Sequence, residues 1–284
     1  MRNNVPQKTI EVSRVAATVA RLCRQVNCFL PSDVWQALEK GCRCEASETG
    51  RGILNELLEN ARIAGQKEIA LCQDTGLVEI FLKIGQDVHI VGGNLNEAIQ
   101  AGVAAGYKDG YLRKSLVADP LERKNTGDNT PALIYTEIVE GDGFKITILP
   151  KGGGSENASA LVMLNPGAGW PAVKEFVLRT VKEKGINACP PLVVGIGIGG
   201  SFSSVPLLAK KALLREVESV HAVYGQKEKE LLAEINNTGI GPMGLGGTIT
   251  ALGVHIETAP CHIASLPVAV SMQCHSCRRL SEAL

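Results

Sequence analysis

The chain has 284 residues, enough for a sizeable core in one or two domains, and its 45% hydrophobic and 20% charged content is that of a globular protein. Its 29 Lys and Arg balance 29 Asp and Glu, so charge argues for neither a nucleic-acid nor a membrane partner, and no apolar run reaches the length of a membrane span. The start, Met1-Arg2-Asn3-Asn4-Val5-Pro6, leads into a charged helical pattern rather than a signal-peptide core, so the expected compartment is the cytoplasm.

In chain order, residues 8–29 are predicted helical, with Val12, Val15, Ala16, Val19 and Leu22 on one face. Ser32 is placed to cap a second helix through Glu39, and Gly41 fits its end. Residues 51–64 form a third helix with Ile53, Leu57, Leu58 and Ala61 apolar. The texture then changes. A strand over 78–84 is entered from a turn at Asp74-Thr75-Gly76, and a helix follows over 95–107. Strands at 133–139 and 144–148 read as a hairpin joined by Glu140-Gly141-Asp142-Gly143. Residues 158–164 are helix-compatible, 169–184 helical, 192–198 a buried strand, 205–214 and 227–236 helical, and 248–258 β-rich. Intermixed strands and helices make the class α/β, or mixed α+β. With no repeat and no low-complexity linker, one compact domain is the simplest organisation.

Nine cysteines are many for a cytoplasmic chain, and their odd number argues against a disulfide framework. Cys23 and Cys28 fall on or beside the first helix and read as filler. Cys42-x-Cys44 and Cys274-x-x-Cys277 each lack a second pair, which disfavours a ribbon-type zinc site. Cys72, Cys189 and Cys274 stand in unusual settings: Leu71-Cys72-Gln73-Asp74-Thr75-Gly76, Asn187-Ala188-Cys189-Pro190-Pro191, and the end of the run from Pro267 to Gln273. Three thiolates can hold three irons of a four-iron cluster and leave the fourth open as a Lewis acid. The first segment presents a thiol, an amide, a carboxylate and a hydroxyl at one turn, though a capped turn with a buried cysteine would read the same way. The polar stretch from Arg113 to Pro131 carries Arg113 and Arg123, and guanidinium groups suit carboxylates. Lys151-Gly152-Gly153-Gly154-Ser155 offers consecutive backbone N–H groups to an anion without Walker A spacing. The glycine run Gly195–Gly200 yields no clean dinucleotide fingerprint. His262, alone, reads as structural.

Taken together these segments resemble the iron–sulfur hydro-lyases of the class I fumarase and L(+)-tartrate dehydratase family, in the α subunit of its two-subunit forms. The resemblance runs from about Glu56 to the C-terminus. Its motifs are Cys72-Gln-Asp-Thr-Gly76, Asn125-Thr-Gly-Asp-Asn-Thr-Pro-Ala132, Lys151-Gly-Gly-Gly-Ser155, Gly195–Gly200 and His262-x4-Pro-Val-x5-Cys274. It implies a single domain over 1–284, with a helical part at 1–65 and a cluster- and substrate-binding core at 66–284. It implies a [4Fe–4S] cluster on Cys72, Cys189 and Cys274 with one open iron. Cys277 competes for the third position, but Cys274 stands twelve positions after His262 as in the family pattern. Gln73, Arg113 and the amides of Gly153 and Gly154 are the implied carboxylate holders, with Arg123 close to Arg113. Asp74 is the implied acid–base group, supported by His262. The chain stops ten residues after Cys274, where fused members of the family continue, so a separate β subunit is expected to complete the site in an α2β2-type oligomer. The implied reaction is hydration of fumarate to (S)-malate. The alternatives are dehydration of L(+)-tartrate to oxaloacetate and, from a different class, a structural metal-binding module.

Overall fold

The computed structural model describes residues 8–284, so the segment Met1–Pro6 lies outside the described residues. The chain opens on a strand, β1 (Lys8–Glu11), and becomes helical only at α1 (Val12–Cys28). Helix was expected from residue 8. Thr9 and Ile10 are β-branched, and Ile10 is buried while β1 pairs in parallel with a later strand, so tertiary pairing outweighs the helical pattern there. Next, α2 (Ser32–Cys44) runs straight through Gly41, which packs on Leu54 and Ile249 instead of ending the helix. Its N-cap is Pro31, with no side-chain cap. The helical part closes with α3 (Glu48–Lys67). Then come β2 (Leu77–Gly85), β3 (Val88–Val91), α4 (Leu95–Asp109), β4 (Leu133–Val139), β5 (Phe144–Lys151), α5 (Gly153–Asn157) and β6 (Ala160–Leu164). The remainder is α6 (Gly169–Lys184), β7 (Leu192–Gly199), α7 (Val205–Ala212), α8 (Gly225–Asn236), β8 (Ala251–Ala259), β9 (Leu266–Gln273) and β10 (Leu280–Ala283). The class is mixed α/β with a helical N-terminal part.

Packing divides the chain into two units. The first comprises the chain to Phe29, Ile63–Lys151 and Arg278–Leu284. Its four-stranded sheet has the order β10-β5-β2-β4, with β2 parallel to β4 and antiparallel to β5. The expected hairpin of β4 and β5 is therefore not formed. Apolar at most positions, β2 takes the centre, as strands buried on both faces do. The Glu140–Gly143 link instead straddles the end of β2. There the Gly85 amide donates to the Gly143 carbonyl at 2.6 Å, and a Cβ on Gly85 would lie 2.1 Å from the Gly141 carbonyl oxygen. On α4, Gly102 and Gly106 admit α1 closely: a Cβ on either would stand 2.6 or 2.7 Å from the carbonyl oxygens of Ala16 and Ala20. Val15, Val19, Leu22, Ile80, Val103 and Ile148 belong to the core that results.

The second unit comprises Leu30–Arg62 and Gly152–Cys277. Its sheet has the order β6-β9-β7-β8, with β7 parallel to β8 and antiparallel to β9. Residues 158–164, read from sequence as helix-compatible, give strand β6, paired with β9 from Ala160 opposite Val270 to Leu164 opposite Leu266. So short a segment does not sustain a helix, whereas the free edge of β9 supplies partners at once. Along β7 the side chains alternate. Val194 and Ile196 join the core formed with α6 and α8, while Gly195 and Gly197 meet α7. A Cβ at these two glycines would lie 2.2 Å from the Ala209 carbonyl oxygen and 2.3 Å from that of Val205, so at these positions the glycine run is a seat for a helix. Among the described residues no helix is long and apolar enough to cross a membrane.

Candidate functional site

In the first unit the loop Leu71–Gly76 leads into β2 and is fastened along its length. The Leu71 amide donates to the Asn27 carbonyl at 2.8 Å. The Asp74 amide donates to Cys72 Sγ at 3.4 Å, and the Gly76 amide to Asp74 Oδ1 at 3.0 Å, so the Asp74 carboxylate caps its own turn. Buried Tyr107 donates its hydroxyl to the Thr75 carbonyl at 2.6 Å, and burial raises that phenol so that it stays a donor. Asn129 Nδ2 donates to the Gly76 carbonyl at 3.1 Å, and Asn129 Oδ1 accepts from the Ser115 amide at 2.7 Å. Thr75 Oγ1 donates to the Arg113 carbonyl at 2.8 Å. A Cβ on Gly76, whose φ is +78°, would strike the Lys151 backbone at 2.9 Å. The fold thus gathers Cys72, Gln73, Asp74 and the Arg113 backbone in one place. Cys72 and Asp74 are half-buried, and Gln73 and Arg113 are exposed. Arg123 lies in the loop of a small hairpin closed by the Val117–Asn125 bridge, where its amide donates to the Asp119 carbonyl at 3.0 Å.

In the second unit Cys189 follows a short turn and adopts a left-handed backbone, φ 56° and ψ 74°. Its thiol-bearing residue is exposed, and its carbonyl accepts from the His275 amide at 3.3 Å. That bond brings the segment just past Cys274 beside Cys189. Cys274 is half-buried at the end of β9, with Sγ 3.1 Å from Ser276 Oγ. Gly154 meets the same region: a Cβ there would lie 2.4 Å from the Asn187 carbonyl oxygen. Cys277 is different. It is 0% exposed and packs among Val34, Leu38, Val193 and Leu213. His262 is exposed in a tight turn where its Nδ1 accepts from the Ala264 amide at 3.1 Å. It precedes β9 and Cys274 follows it, so the two stand beyond opposite ends of a strand whose eight residues span about 24 Å at the usual rise.

Among the described residues no three His, Cys, Asp or Glu side chains form a group able to hold a metal ion. The donor chemistry still fits iron. Cys72, Cys189 and Cys274 sit on loops, each at least partly accessible, and two of the sulfurs stand within reach of an amide or a hydroxyl. Cys23, Cys28 and Cys277 are buried. Sequence reasoning missed Asn27, Tyr107 and Arg278, which carry no motif. A buried-face asparagine at the end of an otherwise apolar helical stripe was the one available signal, at Asn27.

A profile of the family described as Fumarate hydratase (Fumerase) matches residues 16–282. A Methanocaldococcus jannaschii protein provisionally named L(+)-tartrate dehydratase subunit alpha is 44% identical over 277 residues, covering 94% of this chain and 96% of that protein. L(+)-tartrate dehydratase subunit alpha of Escherichia coli K12 is 32% identical over 273 residues, covering 94% and 90%, and the same values hold for that of Shigella sonnei.

Proposed function

We propose, on the premise that this chain belongs to the fumarate hydratase (Fumerase) family and is a hydro-lyase, that it is the α subunit of an iron–sulfur enzyme hydrating fumarate to (S)-malate. Cys72, Cys189 and Cys274 would hold a [4Fe–4S] cluster, which when bound supplies a Lewis acid that polarises the carbon–oxygen bond. The observation that carries the reading is that these three lie on partly accessible loops while Cys277, the competitor for the third position, lies in the apolar core; Cys261 is also exposed on a loop but stands outside the family's motifs.

The protein's own part is binding, orientation and proton transfer. Gln73 and Arg113 are presented beside Cys72 and would hold a substrate carboxylate. Asp74, kept in one orientation by the Gly76 amide, would move the proton at the carbon next to that carboxylate. Gly153 and Gly154 open α5, where their amides would serve the second carboxylate. His262, exposed at the turn before β9, would support Asp74 by hydrogen bonding, and the α–β pairs would assemble as an α2β2-type oligomer. A β subunit would complete the site, as the relatives' subunit names imply for them.

Those same names favour a second reading, in which the substrate is L(+)-tartrate and the product oxaloacetate. Both reactions join or remove water across two carbons next to carboxylates, so the same residues serve either. Steady-state assay of the α–β pair on both acids decides between them. Iron and sulfide analysis after anaerobic reconstitution tests the ligands: Cys72→Ser, Cys189→Ser and Cys274→Ser should each lose most iron. Undiminished iron in Cys189→Ser would sink the assignment. Asp74→Asn, assembled with β, should keep its iron and lose roughly 10²–10⁴-fold in rate. A normal rate per intact cluster would remove Asp74 from the chemistry.

A further inference from the structure

We propose that Arg278 is a positioning residue for the loop Leu71–Gly76, clamping the backbone that presents Cys72 and Asp74. The proposal rests on the reading that Cys72 binds iron and Asp74 moves the proton. Arg278 is only 2% exposed. Its Nη1 donates to Asn27 Oδ1 at 2.7 Å and its Nη2 to the Asp74 carbonyl at 2.8 Å. Among the described residues its hydrogen-bond partners are these two neutral oxygens, and no carboxylate forms an ion pair with it.

A buried guanidinium without a counter-charge is an expensive way to fill space, and an apolar side chain of similar volume would fold at lower cost. What the guanidinium supplies is reach and planarity: one rigid fork spans two acceptors on separate segments. Asn27 completes the span. Its carbonyl accepts from the Leu71 amide at 2.8 Å, and its Nδ2 is fixed on the Cys23 carbonyl at 2.9 Å. Leu71 and Asp74 are thus fastened to one Arg–Asn pair, on either side of Cys72 and Gln73. Tyr107 holds the next carbonyl, that of Thr75. Only Cys72 and Gln73, the residues with work to do outside the loop, lie between the fastened points. A displacement of the order of 1 Å at such a group is enough to cost about 10²-fold in rate, which gives the clamp a function beyond stability.

The test compares the full, metal-free chain with Arg278→Gln and Arg278→Lys by hydrogen–deuterium exchange, then assays each variant assembled with β. Loss of hydrogen bonds from a charged donor should speed exchange in the Leu71–Gly76 loop by about 10- to 100-fold. Exchange in β2 and β5 should stay at the wild-type rate. In the assembled enzyme kcat per intact cluster should fall while KM stays within about twofold, and iron should pass to a chelator faster than from wild type. The lysine keeps the charge but not the fork, so Arg278→Lys should loosen the loop as Arg278→Gln does. Wild-type exchange in the loop overturns the proposal. So does equal acceleration across β2 and β5, which marks a purely structural role, or full protection in Arg278→Lys, which marks charge alone. A loosened loop together with undiminished iron in Cys72→Ser leaves the clamp standing and refutes the cluster reading instead.

Discussion

Gly154→Ala tests whether α5 holds the turn that presents Cys189. The added methyl would stand 2.4 Å from the Asn187 carbonyl oxygen, against the 3.4 Å or more of ordinary contact. The two segments would have to part by about 1 Å, and the obstacle is backbone on both sides, so no side chain can rotate away. Asn187 lies two residues before Cys189, whose backbone is held by bonds of 3.3 Å to Ile186 and His275. Those bonds are already long and would not survive such a shift. Overpacking of this kind costs about 1–3 kcal/mol, and alanine's better helix propensity returns at most about 1 kcal/mol, so a net loss of up to about 3 kcal/mol is expected. Gly52→Ala is the control. Gly52 is exposed on α3 with nothing within 4 Å of its would-be Cβ, so the same substitution should gain about 0.5–1 kcal/mol. Urea unfolding of the full chain reads both, and iron content after reconstitution reads the turn. Alanine at 154 keeps the amide that would serve a carboxylate, so any loss of iron reports displacement of Cys189. A Gly154→Ala midpoint at or above wild type, with undiminished iron, would refute the reasoning.

The remaining predictions are shorter. Cys277→Ser should cost about 1–3 kcal/mol by placing a hydroxyl in the apolar core, yet leave iron content unchanged, as should Cys42→Ser and Cys44→Ser. Burial raises the Glu45 carboxyl, but the amides of Ser47, Thr248 and Ile249 outweigh it and hold the group below its usual 4.5. For Glu228 burial is outweighed by Arg215 and by the amides of Ile256 and His221, with the same net direction. A carboxyl depressed by folding stabilises above its unfolded pKa and loses that contribution as pH falls through the folded value. The urea midpoint should therefore drop as pH is lowered below about 4.5, and Glu45→Gln should flatten that slope in the same titration. The chain alone should show no hydratase activity and gain it with β; a robust rate from the highly purified chain alone would refute a split site.

Much of the fold was legible wherever one local rule decided the outcome. The helix over 169–184 and the strand over 192–198 appear as α6 and β7, because a long amphipathic stripe and a short apolar run admit few alternatives. The misreadings share one cause. β1, β6 and the rejected hairpin of β4 and β5 all depend on which distant strand offers an edge, and periodicity within a segment does not contain that information. Gly41 misled for a related reason. A glycine marks either a helix end or a close approach, and the contact with Leu54 and Ile249 that decides it comes from elsewhere in the chain.

The site divides along the same line. Residues that touch a ligand must have particular chemistry, so they leave a pattern of unusual types at turns, and Cys72, Gln73 and Asp74 are proposed as site residues for that reason. Residues that hold them need only reach a carbonyl. Asn27 lies on a helix, Tyr107 on the apolar face of α4, and Arg278 in a basic pair near the chain end; each reads as ordinary in its own segment. Only their convergence on the loop Leu71–Gly76 distinguishes them. His262 shows the opposite limit. Its motif joins it to Cys274, yet an eight-residue strand separates them, so nearness in sequence placed the two at opposite ends of one rigid element. If both serve one reaction, they do not do so as neighbours along the strand, and the rate of His262→Asn per intact cluster decides whether the imidazole takes part.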